Sequence, residues 1–235
     1  ESKNTTIGYY CNPIQYAAHR KTLENVICTA GKFGATHVST FAGAWEGKPV
    51  ESAYEEFGKV FRELADLAEE KGVKLGIENC LMDGTWEHAT CNIGFNPKAW
   101  EVMFEEVKND NFGLEWEPTH QMVQLIDPVT ELRKWCKKIV HIHGKDATID
   151  WDAVRHSGIS GAVPFVWHRM PGFGDTNWRD IISILRSNGY EDDICIEGYH
   201  DPVYSGELEM TGQLHALNYL KWCRGGDFTP TPWAK

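Results

Sequence analysis

The sequence lacks any run of 18 apolar residues, so no membrane-crossing helix is expected. Its first residues, Glu1-Ser2-Lys3-Asn4, are polar and offer no apolar core for a secretory signal. An initiator Met is also missing, and the chain is expected to be processed, trimmed or a fragment. Cysteine is present seven times, an odd number, with no Cys-x-x-Cys pair. A disulfide framework wants an even count and structural zinc wants closer spacing, so reduced thiols in a cytoplasmic protein are expected. Positive charge is short: 23 Lys and Arg stand against 34 Asp and Glu, for a net charge of −11. A nucleic-acid partner would need a basic surface to neutralise phosphate, so none is expected. Low-complexity tracts, linkers and close repeats are absent too. So is a Gly-x-Gly-x-x-Gly turn, because Gly172-Phe173-Gly174 has no third glycine and sits in a loop rich in Pro and Trp.

What the sequence does have is rhythm. Short apolar runs predict strands over Thr6–Tyr10, Thr36–Phe41, Lys74–Asn79, Phe112–Trp116, Ile139–His143, Pro164–His168 and Ile194–Gly198. Amphipathic stretches predict helices over Arg20–Phe33, Ala53–Lys71, Pro97–Lys108, Pro128–Lys137, Trp178–Ser187 and Glu207–Cys223. The clearest is Ala53–Lys71, where Phe57, Val60, Phe61, Leu64, Leu67 and Ala68 make one stripe and Gly72 follows as a cap. Strand–helix alternation over 235 residues points to an α/β fold with a parallel sheet, and without a dinucleotide-binding turn a TIM (β/α)8-type barrel is expected. The strand before Cys11-Asn12-Pro13 reads as the second of such a barrel. One βα unit is therefore expected to be missing or truncated before Glu1, unless the barrel closes in another way. Residues 1–235 read as a single domain.

Metal-binding side chains recur at the ends of these strands. Gly76-Ile77-Glu78-Asn79 ends one, and Leu114-Glu115-Trp116-Glu117-Pro118-Thr119-His120 ends the next. His141-Ile142-His143-Gly144-Lys145-Asp146 and Ile196-Glu197 follow. An acid or histidine within an apolar parallel strand costs several kcal/mol unless it is paired or bound to metal. One alone could cap a helix or pair with an arginine; four at strand ends suggest a common site. Three carboxylates and one imidazole suit Mn²⁺, Mg²⁺ or Co²⁺, with Zn²⁺ as a further candidate.

Together with Gly8-Tyr9-Tyr10-Cys11-Asn12-Pro13 and Arg169-Met170-Pro171-Gly172-Phe173-Gly174, these motifs occur in the order of a known family. The chain resembles the xylose-isomerase-like TIM barrels of the apurinic-endonuclease-like superfamily, in their sugar phosphate isomerase/epimerase branch. The resemblance implies one divalent metal ion, Mn first, held by Glu78, Glu117, His143 and Glu197. It implies substrate contact at His120. The turn acid is usually Asp, so Glu117 is one methylene longer than the pattern. Of the neighbouring residues, His168 and Arg169 read as substrate contacts or as ion-pair partners. Asn79 reads as a contact that buttresses the site. Lys145 reads as a substrate contact and, with Asp146, as a group that orients ligands or forms a salt bridge. His141 reads as a buried, hydrogen-bonded histidine, and Trp45, Trp86 and Trp116 as sugar-facing walls or core.

The implied activity is isomerisation or epimerisation of a sugar or sugar-like polyol by proton transfer through an enediolate, with Glu78 and Glu197 as the acid/base pair. The alternative is a lyase or dehydratase of the inosose dehydratase kind. A non-catalytic sugar-binding barrel and an apurinic endonuclease are weaker readings. The endonuclease needs further histidines and an Asp-x-His, but Ser39-Thr40-Phe41-Ala42-Gly43 has no histidine and Val166-Trp167-His168 has no acid. The expected partner is a small carbohydrate or polyol, with no nucleic acid and no membrane. Ten tryptophans leave room for a homo-oligomer.

Overall fold

The computed structural model describes residues 5–226 and 229–232, so the opening tetrapeptide Glu1–Asn4 lies outside the described residues. The chain divides into two compact units, Glu1–His143 with Glu191–Cys195, and Gly144–Tyr190 with Ile196–Lys235. Among the described residues no helix is long and apolar enough to cross a membrane.

The first unit is built on a sheet of strands β1 (Thr6–Gly8), β2 (His37–Thr40), β3 (Lys74–Glu78), β4 (Phe112–Trp116) and β5 (Ile139–Gly144). These pair in sequence order and in parallel, and β8 (Ile194–Ile196) takes the edge beside β5. Every residue of β4 is buried, as both faces of a parallel strand must be when helices flank it. Helix α1 (Ala17–Thr29) follows β1, and α2 (Tyr54–Glu70) follows β2. The α2 stripe buries Phe57, Val60, Phe61, Leu64 and Ala68, and Phe61 meets Phe112 of β4 at 6.1 Å between ring centroids. Helix α3 (Pro97–Glu106) starts where the side chain of Asn96 accepts a hydrogen bond from Lys98 N, with proline in the first turn. Helix α4 (Pro118–Met122) is a short turn the hydrophobic pattern does not announce, because all five of its residues are buried. Asp127 caps α5 (Pro128–Trp135) through Val129 N and Thr130 N.

In the second unit β6 (Asp146–Ile149) and β7 (Val166–Arg169) form an antiparallel pair. The sequence reading sets Pro164–His168 among the parallel strands and has no strand at Asp146–Ile149. Antiparallel pairing is open to these segments because β7 is only partly buried, with Trp167 exposed. Helix α6 (Trp151–Ser157) lies between them, and α7 (Trp178–Ser187) occupies the predicted span. Helix α8 (Glu209–Cys223) closes the unit's order of elements. Asp146 explains the Gly-Phe-Gly loop. Its carboxylate accepts from Thr176 N at 2.9 Å and Gly172 N at 3.1 Å, and a Cβ at Gly174 would stand 2.4 Å from its Oδ1.

Two consequences are measurable. A Cβ at Gly113 of β4 would lie 2.3 Å from the carbonyl oxygen of Lys138, a backbone atom that cannot swing aside. Gly113→Ala is expected to lower unfolding free energy by about 3 kcal/mol, at the upper end of overpacking costs, read from the denaturant midpoint. The second concerns His37, buried in β2, with Nε2 3.7 Å from Asp192 Oδ2. Burial lowers its pKa, Lys74 adds to the effect, and Asp192 opposes it. The unfolded chain therefore takes up this proton first. Stability is unaffected above the ordinary histidine value and is lost as pH falls below about 6.5. Between about pH 7 and pH 5 the wild-type midpoint should fall more steeply than that of His37→Gln.

Candidate metal centre

Strand geometry assembles a cluster in the first unit. Register pairs Glu78 with Glu115 and Glu115 with His141. Side chains two apart on a strand share a face, so Glu117 lies one step beyond Glu115, and His143 one step beyond His141. Two layers result, an inner one of Glu115 and His141 and an outer one of Glu117 and His143. The turn acid lies just past β4, in extended backbone at the N-cap of α4.

Glu78 and Glu117 converge on one ring. His143 Nδ1 is 3.4 Å from Glu78 Oε1 and 3.6 Å from Glu117 Oε2. Glu117 is 0% exposed, and its other oxygen is 3.2 Å from His120 Nε2. The extra methylene of Glu117 thus spans between two imidazoles. Asn79 fixes the backbone beneath it: Nδ2 donates to Glu117 O at 2.9 Å, and Oδ1 accepts from Glu117 N at 2.7 Å. Asn79 itself is buried, and its amide is taken up by this backbone.

Three groups went unselected on sequence. Glu115 is buried, with Oε1 3.2 Å from His143 Nε2 and 3.9 Å from His141 Nε2. The Tyr10 hydroxyl donates to its other oxygen at 2.8 Å. The signal for Glu115 was there, a carboxylate inside the apolar run Gly113–Trp116. Asn92 had none, since one amide in a loop carries no pattern. It donates to Glu78 O and Cys80 O at 2.9 and 2.8 Å and so pins the end of β3. Of the tryptophans, Trp116 is core: it is fully buried and donates to Gln121 Oε1 at 3.0 Å.

Burial, reinforced by the charges of Glu117 and Glu115, pushes Glu78 up to about 7 against the opposing pull of His143. Burial would raise Glu115 too, but the hydrogen bond and charge of His143 outweigh it and hold that carboxyl below its usual range. Desolvation of its hydroxyl end and the Glu115 charge raise the Tyr10 phenol above its ordinary value.

The second unit holds the remaining selected residues. Lys145 is buried, and its Nζ is 2.8 Å from Glu197 Oε1. Glu197 lines an open cleft of about 490 Å³ together with Tyr199, His200, Asp201 and Tyr204. Arg169 Nε reaches Asp201 Oδ2 at 3.3 Å, the ion pair that was one of its two readings. His168 meets the ring of His200 edge-on at 5.6 Å between centroids.

The donor set fits a hard divalent cation. Ligand atoms about 2.1 Å from one ion stand roughly 3–3.5 Å apart, close to the spacings around His143 Nδ1. Carboxylates crowded out of water around one imidazole carry excess negative charge, which a divalent ion would offset.

Comparison with known proteins places the chain in a family. The chain is 26% identical over 182 residues to an inosose dehydratase of Clostridium tetani, a match covering 75% of this chain and 57% of that protein. It thus spans less than two thirds of that relative's length. A solved D-psicose 3-epimerase superposes with a TM-score of 0.69 at 16% identity, covering 95% of this chain and 79% of that one. The IOLI protein, solved with a binding zinc atom, gives a TM-score of 0.64 at 21% identity, covering 93% and 72%. At these identities the two structures show the fold. The model of the xylose isomerase-like TIM barrels matches residues 8–221, nearly the whole chain, and the chain belongs to that family.

Proposed function

We propose that the chain is a divalent-metal-dependent isomerase or epimerase of a sugar or sugar-like polyol. The observation that carries this reading is the convergence of Glu78 and Glu117 on Nδ1 of His143, at 3.4 and 3.6 Å. The family resemblance adds Glu197 as the fourth ligand, with Mn²⁺ the first candidate and Mg²⁺, Co²⁺ or Zn²⁺ the others. A cation in this set supplies Lewis acidity toward a substrate carbonyl.

The side chains would divide the remaining tasks. Glu78, raised toward neutrality, takes the proton from the carbon beside the carbonyl, leaving an enediolate. Glu197 is the proposed second carboxylate, and Lys145 Nζ donates to its Oε1 at 2.8 Å. Return of the proton to the opposite face gives an epimer, and return to the neighbouring carbon exchanges aldose and ketose. His120, held by Glu117, is the proposed hydrogen-bonding group for a substrate hydroxyl. His168 and Arg169 are proposed to contact more distant substrate oxygens.

A second reading is dehydration, in which the same enediolate expels a hydroxyl from the next carbon. It is favoured by the name of the Clostridium tetani relative, inosose dehydratase. The two readings share the first proton transfer and part at the second step.

Metal uptake tests the site. After equilibration with Mn²⁺ and desalting, the full chain should retain about one ion, and Glu117→Ala, His143→Ala and Glu197→Ala should each weaken uptake by more than about 100-fold. A folded wild type that holds no divalent ion would sink the mechanism. Activity is read in D₂O with a panel of ketoses and cyclic polyol ketones. Deuterium entering beside the carbonyl without loss of water supports isomerisation or epimerisation. Growth of an absorbing unsaturated ketone supports dehydration. Glu78→Gln should abolish either signal while the protein stays folded.

A further inference from the structure

The proposed metal site uses Glu78, Glu117, His143 and Glu197 and leaves one buried carboxylate of the first unit without a task. Glu115 lies in the middle of the unit's central sheet, fully buried, where an ionised group is expensive unless something compensates it. Two groups do so. The Tyr10 hydroxyl donates to Oε2 at 2.8 Å, and Nε2 of His143 stands 3.2 Å from Oε1. His143 therefore shows one nitrogen to Glu115 and the other to Glu78 and Glu117.

The surrounding backbone makes room for this contact. A Cβ at Gly8 would come within 2.7 Å of the Tyr10 ring, so the absent side chain is what lets that ring lie back along β1. A Cβ at Gly76 would stand 3.4 Å from Cβ of Glu115 and 3.2 Å from Val140 Cγ2, tight contacts in the same layer. Phe41 packs on Tyr10 with ring centroids 5.2 Å apart. Gly8 and Tyr10 share one strand region and Gly76 lies in another, far along the chain, and both regions border this one carboxylate.

We propose that Glu115, held by Tyr10, is the positioning residue of His143: it accepts the hydrogen bond of the Nε2–H and so leaves the Nδ1 lone pair for the metal. The inference rests on the reading of His143 as a metal ligand. A carboxylate behind a ligating imidazole fixes the ring's tautomer and orientation and raises its basicity, and loss of such partners costs about 10–100-fold in metal affinity. Glu115 touches neither metal nor substrate in this scheme.

The competing use of the same side chains is a second cation position, because donor atoms of Glu115, His141 and His143 lie within 4.8 Å of one another. The experiment separates the two. Glu115→Gln keeps an accepting oxygen without the charge, Glu115→Leu removes the acceptor, and Tyr10→Phe removes only the donor that holds it. Each full chain is titrated with Mn²⁺ and with Zn²⁺ by calorimetry. The ring nitrogens of His143 are followed by ¹⁵N NMR in the metal-free protein, at a pH where the imidazole is neutral, and in the zinc form.

The expected result is one ion per chain in the wild type, with affinity falling in the order wild type, Glu115→Gln, Glu115→Leu, the last by about 10–100-fold. Tyr10→Phe should give a smaller loss. The wild-type ring should hold a single Nε2–H tautomer, and Glu115→Leu a mixture. Glu115→Leu with unchanged tautomer and affinity would overturn the proposal. So would two ions in the wild type and one in Glu115→Leu, since Glu115 would then be a ligand. A wild type that binds no ion but keeps the single tautomer, lost in Glu115→Leu, upholds the restraint on His143 and removes the metal reading instead. Far-ultraviolet circular dichroism of each variant confirms that the fold is kept.

Discussion

Negative charge gathered around one imidazole is the constraint on which the first unit turns. Glu78, Glu115 and Glu117 are all buried, and each approaches His143 within 3.6 Å. Removing an ion from water costs several kcal/mol even after the protein relaxes around it. Such a cluster persists only if the surroundings hold it in place. Asn79 binds both backbone groups of Glu117, Asn92 binds the carbonyl of Glu78, and Tyr10 binds Glu115. The rigid element is the sheet itself. Parallel register sets Glu78, Glu115 and His141 side by side, and the two-residue period carries Glu117 and His143 to the strand ends.

The departure of Glu117 from the usual aspartate is understandable in these terms. Its backbone is fixed by Asn79, so the additional methylene has to be taken up by the side chain. The carboxylate then reaches His143 with one oxygen and His120 with the other. A shorter side chain on the same backbone would not reach as far. The length of Glu117 and the grip of Asn79 are parts of one arrangement.

Carboxylates in the second unit behave differently. Asp146 and Asp201 are buried as well, but backbone amides satisfy them. Asp146 gathers Ala147, Thr176 and Gly172, and Asp201 gathers Met170, Val203 and Tyr204. These contacts shape the Met170–Thr176 loop and the turn after His200. A carboxylate wrapped in its own loop's amides organises that loop, whereas one facing other carboxylates across a histidine marks a place for positive charge.

Periodicity in the sequence determined most of the elements. The α2 stripe, the proline and asparagine starts of α3 and α5, and the strands ending at Glu78 and Trp116 are all local in origin: they follow from apolar spacing and capping chemistry within a few residues. Polar residues that interrupt apolar strands near their ends marked the region, and the family resemblance picked Glu78, Glu117 and His143 from among them. Tertiary structure alone decided the rest. The antiparallel partner of β7 depends on the course of Asp146–Ile149, and buried α4 shows no amphipathic stripe to read. Tyr10 and Glu115 are 105 residues apart, and neither reveals the other until the sheet brings them within 2.8 Å. Sequence spacing records what neighbours along the chain must do. Which distant groups share a buried charge is fixed only when strand register and burial are.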